Sequence, residues 1–142
     1  MQVVTWSCPA CGREFARPRS HVCAPALSFE AYLAGRPAAE RPVYEGVRAY
    51  LEALGPLIVE PVDVGIFFKG QRNFVEVRPK ARWIDITFGL NRPLESPRIS
   101  RTMRSRTART YYAVRVTAAA DIDDELKAWL TESYFEVGLP PR

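Results

Sequence analysis

The sequence contains few residues with reactive side chains. Among its 142 residues are three cysteines and a single histidine, and all four lie between Cys8 and Cys23. No apolar run approaches the roughly 18 residues that a membrane-spanning helix needs. The first residues also lack the basic start and the long apolar core of a secretory signal. We therefore expect a cytoplasmic protein without a membrane partner, in which the odd number of cysteines stays reduced.

The four scarce residues have the spacing of a metal site. Two residues separate Cys8 from Cys11, nine separate Cys11 from His21, and one separates His21 from Cys23. A two-residue gap lets both thiolates of a turn face one ion, and three thiolates with one imidazole favour zinc. The alternative is a set of buried thiols with a surface histidine. We expect Cys8, Cys11, His21 and Cys23 to bind one Zn²⁺ in a closed, structural site.

The same assignment excludes common kinds of catalysis. With His21 and the three cysteines bound to zinc, no imidazole remains for a serine nucleophile and no thiolate remains as a nucleophile. Catalysis would then require carboxylates, Tyr, Lys or an added metal. We therefore expect a protein that is not an enzyme.

Lysine is scarce as well, since only three of the twenty basic residues are Lys. Arg offers a planar fork that matches phosphate or carboxylate oxygens. Residues 64–117 carry twelve Lys or Arg against three carboxylates, a net charge of +9 between two acidic flanks. Residues 96–120 contain six Arg and no carboxylate. The positive charge is thus concentrated in the middle of the chain.

The hydrophobic pattern predicts both helices and strands. Val43, Val47 and Leu51 fall at helical spacing, and Gly55-Pro56 would end that helix. A second helix would begin at Asp121, whose side chain can cap it. Apolar residues alternate with polar ones in four segments, which we expect to be strands at about 64–69, 73–78, 82–90 and 111–116.

These elements predict an α+β fold, in which a four-stranded antiparallel sheet is flanked by two helices and preceded by a small zinc-binding lobe. We place the zinc-binding lobe at residues 1–27, a short helix and linker at 28–42, and the α+β domain at 43–142. The first segment is too short for a core of its own and needs a metal to be ordered.

Several motifs along nearly the whole chain are similar to those of a known family. They are Trp6-x-Cys8-Pro9-x-Cys11-Gly12-Arg13-x-Phe15, His21-x-Cys23, the helix with Tyr44, the strand Val64-Gly65-Ile66-Phe67-Phe68-Lys69, Pro97-Arg98-Ile99-Ser100-Arg101 and Asp123-Asp124-Glu125-Leu126. Together they resemble small bacterial proteins with the domain of unknown function DUF5655, some of which have a similar zinc-binding front end. The resemblance supports this organisation and the zinc ligands, and it implies no activity.

Three functions fit these observations. A protein-interaction adaptor, our first interpretation, would use the zinc lobe as a rigid surface and the acidic flanks to meet a basic partner. The alternative is a module that binds nucleic acid or ribonucleoprotein, with phosphates on the Arg forks and bases stacked on Trp83, Tyr111 and Tyr112. An Arg-rich loop that is simply solvated would produce the same pattern.

An enzyme is the third and least favoured interpretation. Asp63 and Glu76-Val77-Arg78 are faintly similar to the acid and Glu-x-Lys of Mg²⁺-dependent nucleases, but Arg78 stands where Lys is needed. A small-anion pocket lined by Lys69, Arg72 and the loop from Arg98 to Arg101 is a further possibility. The candidate binding residues are Lys69, Arg72, Arg98, Arg101, Arg104, Arg106 and Arg109.

Overall fold

A computed structural model of the chain describes residues 6–19, 21, 27–106 and 109–139. It has three α-helices, which are α1 (Phe29–Ala34), α2 (Arg41–Leu54) and α3 (Asp124–Ser133). Its strands are β1 (Trp6–Ser7), β2 (Glu14–Phe15), β3 (Ile58–Val62), β4 (Gly65–Lys69), β5 (Asn73–Pro79), β6 (Ile84–Leu90), β7 (Ile99–Arg104) and β8 (Thr110–Val116). Within the described ranges, no helix combines the length and apolarity that a membrane crossing requires.

The main sheet has six antiparallel strands, in the order β3-β4-β5-β6-β8-β7. The prediction of an α+β fold is confirmed, but the predicted number of four strands is wrong. The four expected strands are the central ones, β4, β5, β6 and β8. The two that were missed, β3 and β7, are the edges of the sheet.

The sequences of both missed strands lack a clear strand pattern. Strand β3 contains Pro61, which has no N–H for a ladder and is tolerated only because β3 is an edge. Strand β7 has three exposed residues in succession, Ser100, Arg101 and Thr102, so its alternation of apolar and polar residues is weak. A bulge between Ile99 and Arg101 disturbs that alternation further.

The hydrophobic core lies between one face of the sheet and the two longer helices. Helix α2 buries Val43, Tyr44, Val47 and Leu51, and α3 buries Leu126, Trp129 and Leu130. The sheet contributes one aligned set of side chains, since the register places Ile66 opposite Val77, Val77 opposite Ile86, and Ile86 opposite Val114. All of these residues belong to one buried cluster. The opposite face of the sheet, which we call the outer face, contributes none of them.

Helix α3 begins two residues later than the sequence indicated. Asp123 is its N-cap and accepts a hydrogen bond from the backbone N–H of Leu126 at 3.0 Å. Asp121 instead accepts from the backbone N–H groups of Thr117 and Ala118, at 2.8 and 3.1 Å. The chain has a 3-10 turn at Ala119–Asp121 before the helix and a π-helical turn at Tyr134–Gly138 after it. Two aspartates therefore cap two successive turns.

Ser133, at the end of α3, connects the helix to two strands. The β5–β6 ladder has its last pair at Val75 and Phe88. At the following position the Ser133 hydroxyl donates to the carbonyl of Phe74 at 2.9 Å and accepts from the backbone N–H of Gly89 at 3.2 Å. A buried side chain thus takes the place of one ladder hydrogen bond.

We predict that Ser133→Ala lowers the free energy of unfolding by about 1–3 kcal/mol, because two buried backbone groups lose their partner. Chemical denaturation followed by circular dichroism measures this change. Ser7→Ala, at an exposed serine, is the matched control and should change stability by less than about 0.5 kcal/mol. Equal stability of the two variants would contradict the role assigned to Ser133.

Candidate functional site

The segment from Trp6 to Arg19 together with His21, which we call the lobe, forms a tight turn between two short strands. Strand β1 pairs with β2, and the turn between them carries Cys8 and Cys11. The backbone N–H of Gly12 donates to the Cys8 carbonyl at 2.8 Å, and the N–H of Cys8 donates to the Arg13 carbonyl at 2.9 Å. Gly12 has φ 77°, a left-handed conformation that glycine adopts without strain. This turn directs both cysteines to the same side of the hairpin.

Three of the four expected ligands lie together. The ligand atoms of Cys8, Cys11 and His21 all lie within 4.8 Å of one another, so these residues can bind a metal ion. Cys11 Sγ and His21 Nε2 are 3.3 Å apart. The fourth expected ligand, Cys23, lies outside the described residues.

The His21 ring has the orientation that a metal ligand needs. Its Nδ1 lies 2.9 Å from the Arg19 carbonyl, to which an N–H at that position donates. Such a bond leaves Nε2, which faces Cys11, with the lone pair that binds a metal. The imidazole also packs against the Phe15 ring, with 4.6 Å between centroids, and Phe15 packs against Trp6 at 5.8 Å. The chemistry of the donor set therefore fits a transition metal with a preference for thiolate and imidazole.

A buried carboxylate attaches the lobe to the edge of the sheet. Glu60 on β3 accepts two hydrogen bonds from Arg13 of the lobe, at 3.1 and 3.2 Å, and one from Lys69 of β4 at 3.0 Å. The Glu60 side chain is only 10% exposed. The Lys69 ammonium lies 4.7 Å from the centroid of the Phe15 ring, so the same cation contacts both the carboxylate and the aromatic centre of the lobe.

The charges of this cluster change the pKa values of its members. Burial alone would raise the pKa of the Glu60 carboxyl, but the hydrogen bonds from Arg13 and Lys69 outweigh burial and hold that pKa below its ordinary value. Burial lowers the pKa of Lys69, the contact with Glu60 opposes this change, and the positive charges of Arg13 and Arg19 add to it. Burial is therefore the main cause of the lowered pKa of Lys69.

The candidate basic residues do not form one site. Arg98, just before β7, is held by Asp123 at 2.8 Å and by Glu125 at 3.1 Å, which ties the strand to the start of α3. Lys69 lies on β4, which three strands separate from β7 in the sheet. The structure therefore does not bring Lys69 and Arg72 together with Arg98 to Arg101 as the predicted anion pocket required. Arg72 lies in the β4–β5 turn, where it donates to the Val137 carbonyl at 3.4 Å.

The other candidate arginines lie on or beside the edge strand. Arg101 and Arg104 are exposed residues of β7, Arg106 is exposed just after it, and Arg109 is half-buried just before β8. The stretch that we expected to be a long loop is therefore an edge strand of the sheet. Arg101 belongs to the outer face, where the register places it beside Ala113 and in line with Thr87 and Glu76.

The outer face carries guanidinium groups and aromatic rings side by side. The Arg115 guanidinium lies 4.0 Å from the centroid of the Trp83 ring, and that of Arg78 lies 5.3 Å from the centroid of Phe67. The Tyr111 ring lies over Gly89, where an added Cβ would be 2.8 Å from it. Phe67, Trp83 and Tyr111 are outside the hydrophobic core cluster, whereas Tyr112 belongs to it and is buried. Two of the three aromatic residues proposed for base stacking, Trp83 and Tyr111, therefore remain at the surface.

The carboxylates considered for a nuclease-like site, Asp63 and Glu76, do not belong to a group of potential metal ligands within the described residues. Asp63 is exposed in the β3–β4 turn. Both oxygens of Glu76 accept hydrogen bonds, one from Asn73 at 2.9 Å and one from Arg78 at 3.0 Å. Across the described part of the chain, Cys8, Cys11 and His21 form the single group of three or more potential metal ligands.

A family model described as a domain of unknown function, DUF5655, matches residues 29–135. The chain belongs to this family. The match begins at α1 and ends in the π-helical turn after α3, so it contains the complete six-stranded sheet, while the lobe precedes it. No curated protein and no solved structure matches the chain. The family membership expected from the sequence motifs is thereby confirmed.

Sequence reasoning missed Glu60 and Arg13, the pair that joins the lobe to the DUF5655 domain. The available signal was a single carboxylate inside an otherwise apolar segment, Ile58-Val59-Glu60-Pro61-Val62. A charged residue buried in such a segment needs a partner of opposite charge. The partner comes from 47 residues earlier in the chain, at a distance that periodicity does not reveal.

We predict that Glu60→Gln destabilises this DUF5655 protein by roughly 1–3 kcal/mol at pH 7, because two half-buried cations lose their counter-charge. Since the pKa of Glu60 is lowered on folding, its contribution is fully present above the unfolded value of 4.5 and is lost as the pH falls through the folded value. The stability difference between wild type and Glu60→Gln should therefore shrink below pH 4.5.

Urea denaturation at a series of pH values measures this difference. Glu14→Gln, at an exposed carboxylate of the same lobe, is the control and should follow the wild type. A constant difference between wild type and Glu60→Gln from pH 7 to acid pH would contradict the assignment.

Proposed function

We propose that this DUF5655 protein is a non-catalytic binding module, stabilised by one zinc ion, whose outer face binds single-stranded nucleic acid. The observation that carries the proposal is the outer face itself, where within the described residues Arg101 and Arg115 have no carboxylate partner and the Arg115 guanidinium lies 4.0 Å from the centroid of the half-buried Trp83 ring. Zinc would hold the lobe together, and the sheet would supply the binding surface.

Zinc is supported by the type and placement of the ligands. Cys8, Cys11 and His21 are close enough to bind one ion, and thiolates with imidazole suit zinc. With Cys23 as the fourth ligand the site would be closed, with no position for a reactive water. The ion would then supply folding energy to a lobe too small for a core of its own, and no Lewis-acid chemistry.

Nucleic-acid binding is supported by the distribution of unpaired positive charge. Among the described residues, neither a hydrogen bond nor an ion pair joins Arg101, Arg104 or Arg115 to a carboxylate, and the residues outside the described ranges include no Asp or Glu. A groove of about 410 Å³ runs beside Arg115 and is lined also by Arg98 and Ser100. Phosphates could bind these cations while bases stack on Trp83 and Tyr111.

The acidic flanks give less support to the adaptor that the sequence first favoured. Many of their carboxylates are paired within the chain, where Glu30 binds Arg41, Glu40 binds Arg36 and Glu132 binds Arg92. A carboxylate already paired with an arginine offers little to a basic partner. Arg78 of the outer face is paired with Glu76, but within the described residues Arg101 and Arg115 have no carboxylate partner, so we place the nucleic-acid interpretation above the adaptor.

We predict that the purified protein contains about one equivalent of zinc by mass spectrometry of the metals. Cys8→Ser and Cys23→Ser should each lose most of this zinc, because a site with two thiolates and one imidazole binds zinc far more weakly. Ser7→Ala is the matched control and should keep the full equivalent. Full zinc retention by Cys23→Ser would remove that residue from the ligand set.

We predict that the protein binds a fluorescein-labelled single-stranded oligonucleotide in low salt, with an affinity that falls as salt rises. The double variant Arg101→Gln, Arg115→Gln should bind more weakly, and its slope of log affinity against log salt should be smaller by about 1.4, or about 0.7 for each lost phosphate contact. Fluorescence anisotropy at several salt concentrations gives both quantities.

The control is Arg41→Gln, Arg48→Gln, which removes the same charge from α2 on the other side of the molecule. It should leave the salt slope close to that of the wild type. Equal weakening by both double variants would show that binding follows net charge alone, and the absence of saturable binding by wild type would exclude the proposed function.

A further inference from the structure

A cleft between the lobe and the β4–β5 turn is lined by four cations, of which only Lys69 has a carboxylate partner within the described residues. It has a volume of about 330 Å³ and lies between the segment 15–19 of the lobe and the segment 69–73. Arg17, Arg19, Lys69 and Arg72 line it, and its other lining residues are uncharged. We call it the basic cleft. It lies at the opposite edge of the sheet from the arginines of β7.

The described residues elsewhere in the chain provide no ion-pair partner for the three arginines of the basic cleft. Among the described residues no ion pair involves Arg17, Arg19 or Arg72, and the residues outside the described ranges contain no Asp or Glu that could supply one. Lys69 is bound to Glu60, but Glu60 also carries Arg13, so one carboxylate serves two cations. Four cations around a cleft without an acid produce a strong positive potential.

The donors of the cleft retain hydrogen-bonding capacity. The Lys69 ammonium has three N–H groups and two protein acceptors, Glu60 at 3.0 Å and the Glu14 carbonyl at 3.4 Å. Arg72 uses one of its five N–H donors, in a long contact to the Val137 carbonyl. The Arg19 guanidinium lies 5.3 Å from the centroid of the Phe15 ring. The ring covers one face of the guanidinium, and the N–H groups at the guanidinium edge can donate to an acceptor.

The walls of the cleft are held in place from both sides. On one side the backbone N–H of Gln71 donates to the Gly138 carbonyl at 2.6 Å, and a side chain at Gly70 would collide with that same carbonyl, so the turn sits firmly against the end of the π-helical turn. On the other side, Phe15 is buried and in contact with His21 and Lys69. A site built before its ligand arrives loses less entropy on binding.

We infer that the basic cleft is a binding site for a phosphate group, either of a free polyphosphate or of a nucleic-acid strand. Arginine forks on two walls can each bind two phosphate oxygens, while the lysine supplies a point charge at the base. A single carboxylate ligand would use fewer of these donors. The site is separate from the outer-face proposal and does not depend on it.

Isothermal titration with inorganic tripolyphosphate in low salt tests this inference. Wild type should bind one equivalent, and the double variant Arg17→Gln, Arg72→Gln should bind at least about tenfold more weakly, because each lost charge-assisted hydrogen bond weakens binding. Arg41→Gln, Arg48→Gln, on α2, is the control for lost charge and should bind like wild type. Lack of saturable binding by wild type, or equal loss in both variants, would overturn the inference.

Two further measurements separate this site from the outer face and identify the source of the phosphate. The variant Arg101→Gln, Arg115→Gln should keep tripolyphosphate affinity within about twofold of wild type; a tenfold loss would place the anion on the outer face and overturn the inference. Competition by a single-stranded oligonucleotide would identify strand phosphates as the ligand, and binding unaffected by that oligonucleotide would identify a free polyphosphate. Zinc content equal to that of wild type in Arg17→Gln, Arg72→Gln would show that its lobe remains folded.

Discussion

The buried Glu60 carboxylate fixes the position of the lobe on the sheet. It receives Arg13 from the lobe and Lys69 from β4, and its side chain is largely removed from water. This contact fixes both walls of the basic cleft. Arg17 and Arg19 follow Arg13 in the wall that the lobe forms, and Lys69 is the first residue of the other wall. An ion cluster of this kind adds little net stability compared with an apolar contact, but it is selective for one arrangement, because any other leaves a buried charge unpaired.

Charged side chains are paired to different extents on the two sides of the sheet. On the helical side, acids and arginines neutralise each other in pairs such as Glu30 with Arg41 and Asp123 with Arg98. On the outer face Arg78 is paired with Glu76, but Arg115 lies against the Trp83 ring. In the basic cleft Arg17, Arg19 and Arg72 lie among uncharged residues. A net charge of +4 for the chain therefore understates the local potential. Because exposed charges act over about a Debye length of 8–10 Å, it is this local arrangement that a charged ligand meets.

The elements that the sequence predicted are those with a complete periodic signal. Helix α2 and the central strands carry regular apolar positions because each is packed against the core along its whole length. The edge strands β3 and β7 could not be predicted in the same way, since Pro61 and the exposed residues Ser100 to Thr102 obscure the period. Three residues that can bind a metal were predicted from spacing because a tight turn keeps sequence neighbours together. The basic cleft was missed because its two walls are about fifty residues apart in the chain, and Arg98 was assigned to a binding surface although distant carboxylates hold it.

A chain of direct contacts connects the metal ligands to the cleft. The His21 ring packs on Phe15, the Phe15 ring lies against Lys69, and Lys69 is bonded to Glu60. A change in the ligand geometry would displace Phe15 first, and Phe15 is the residue that holds one face of Arg19. A bound metal would therefore affect the basic cleft through the position of the Phe15 ring, against which two of its four cations, Arg19 and Lys69, rest. In this arrangement a lobe too small to fold by burial alone still positions charges on a neighbouring domain.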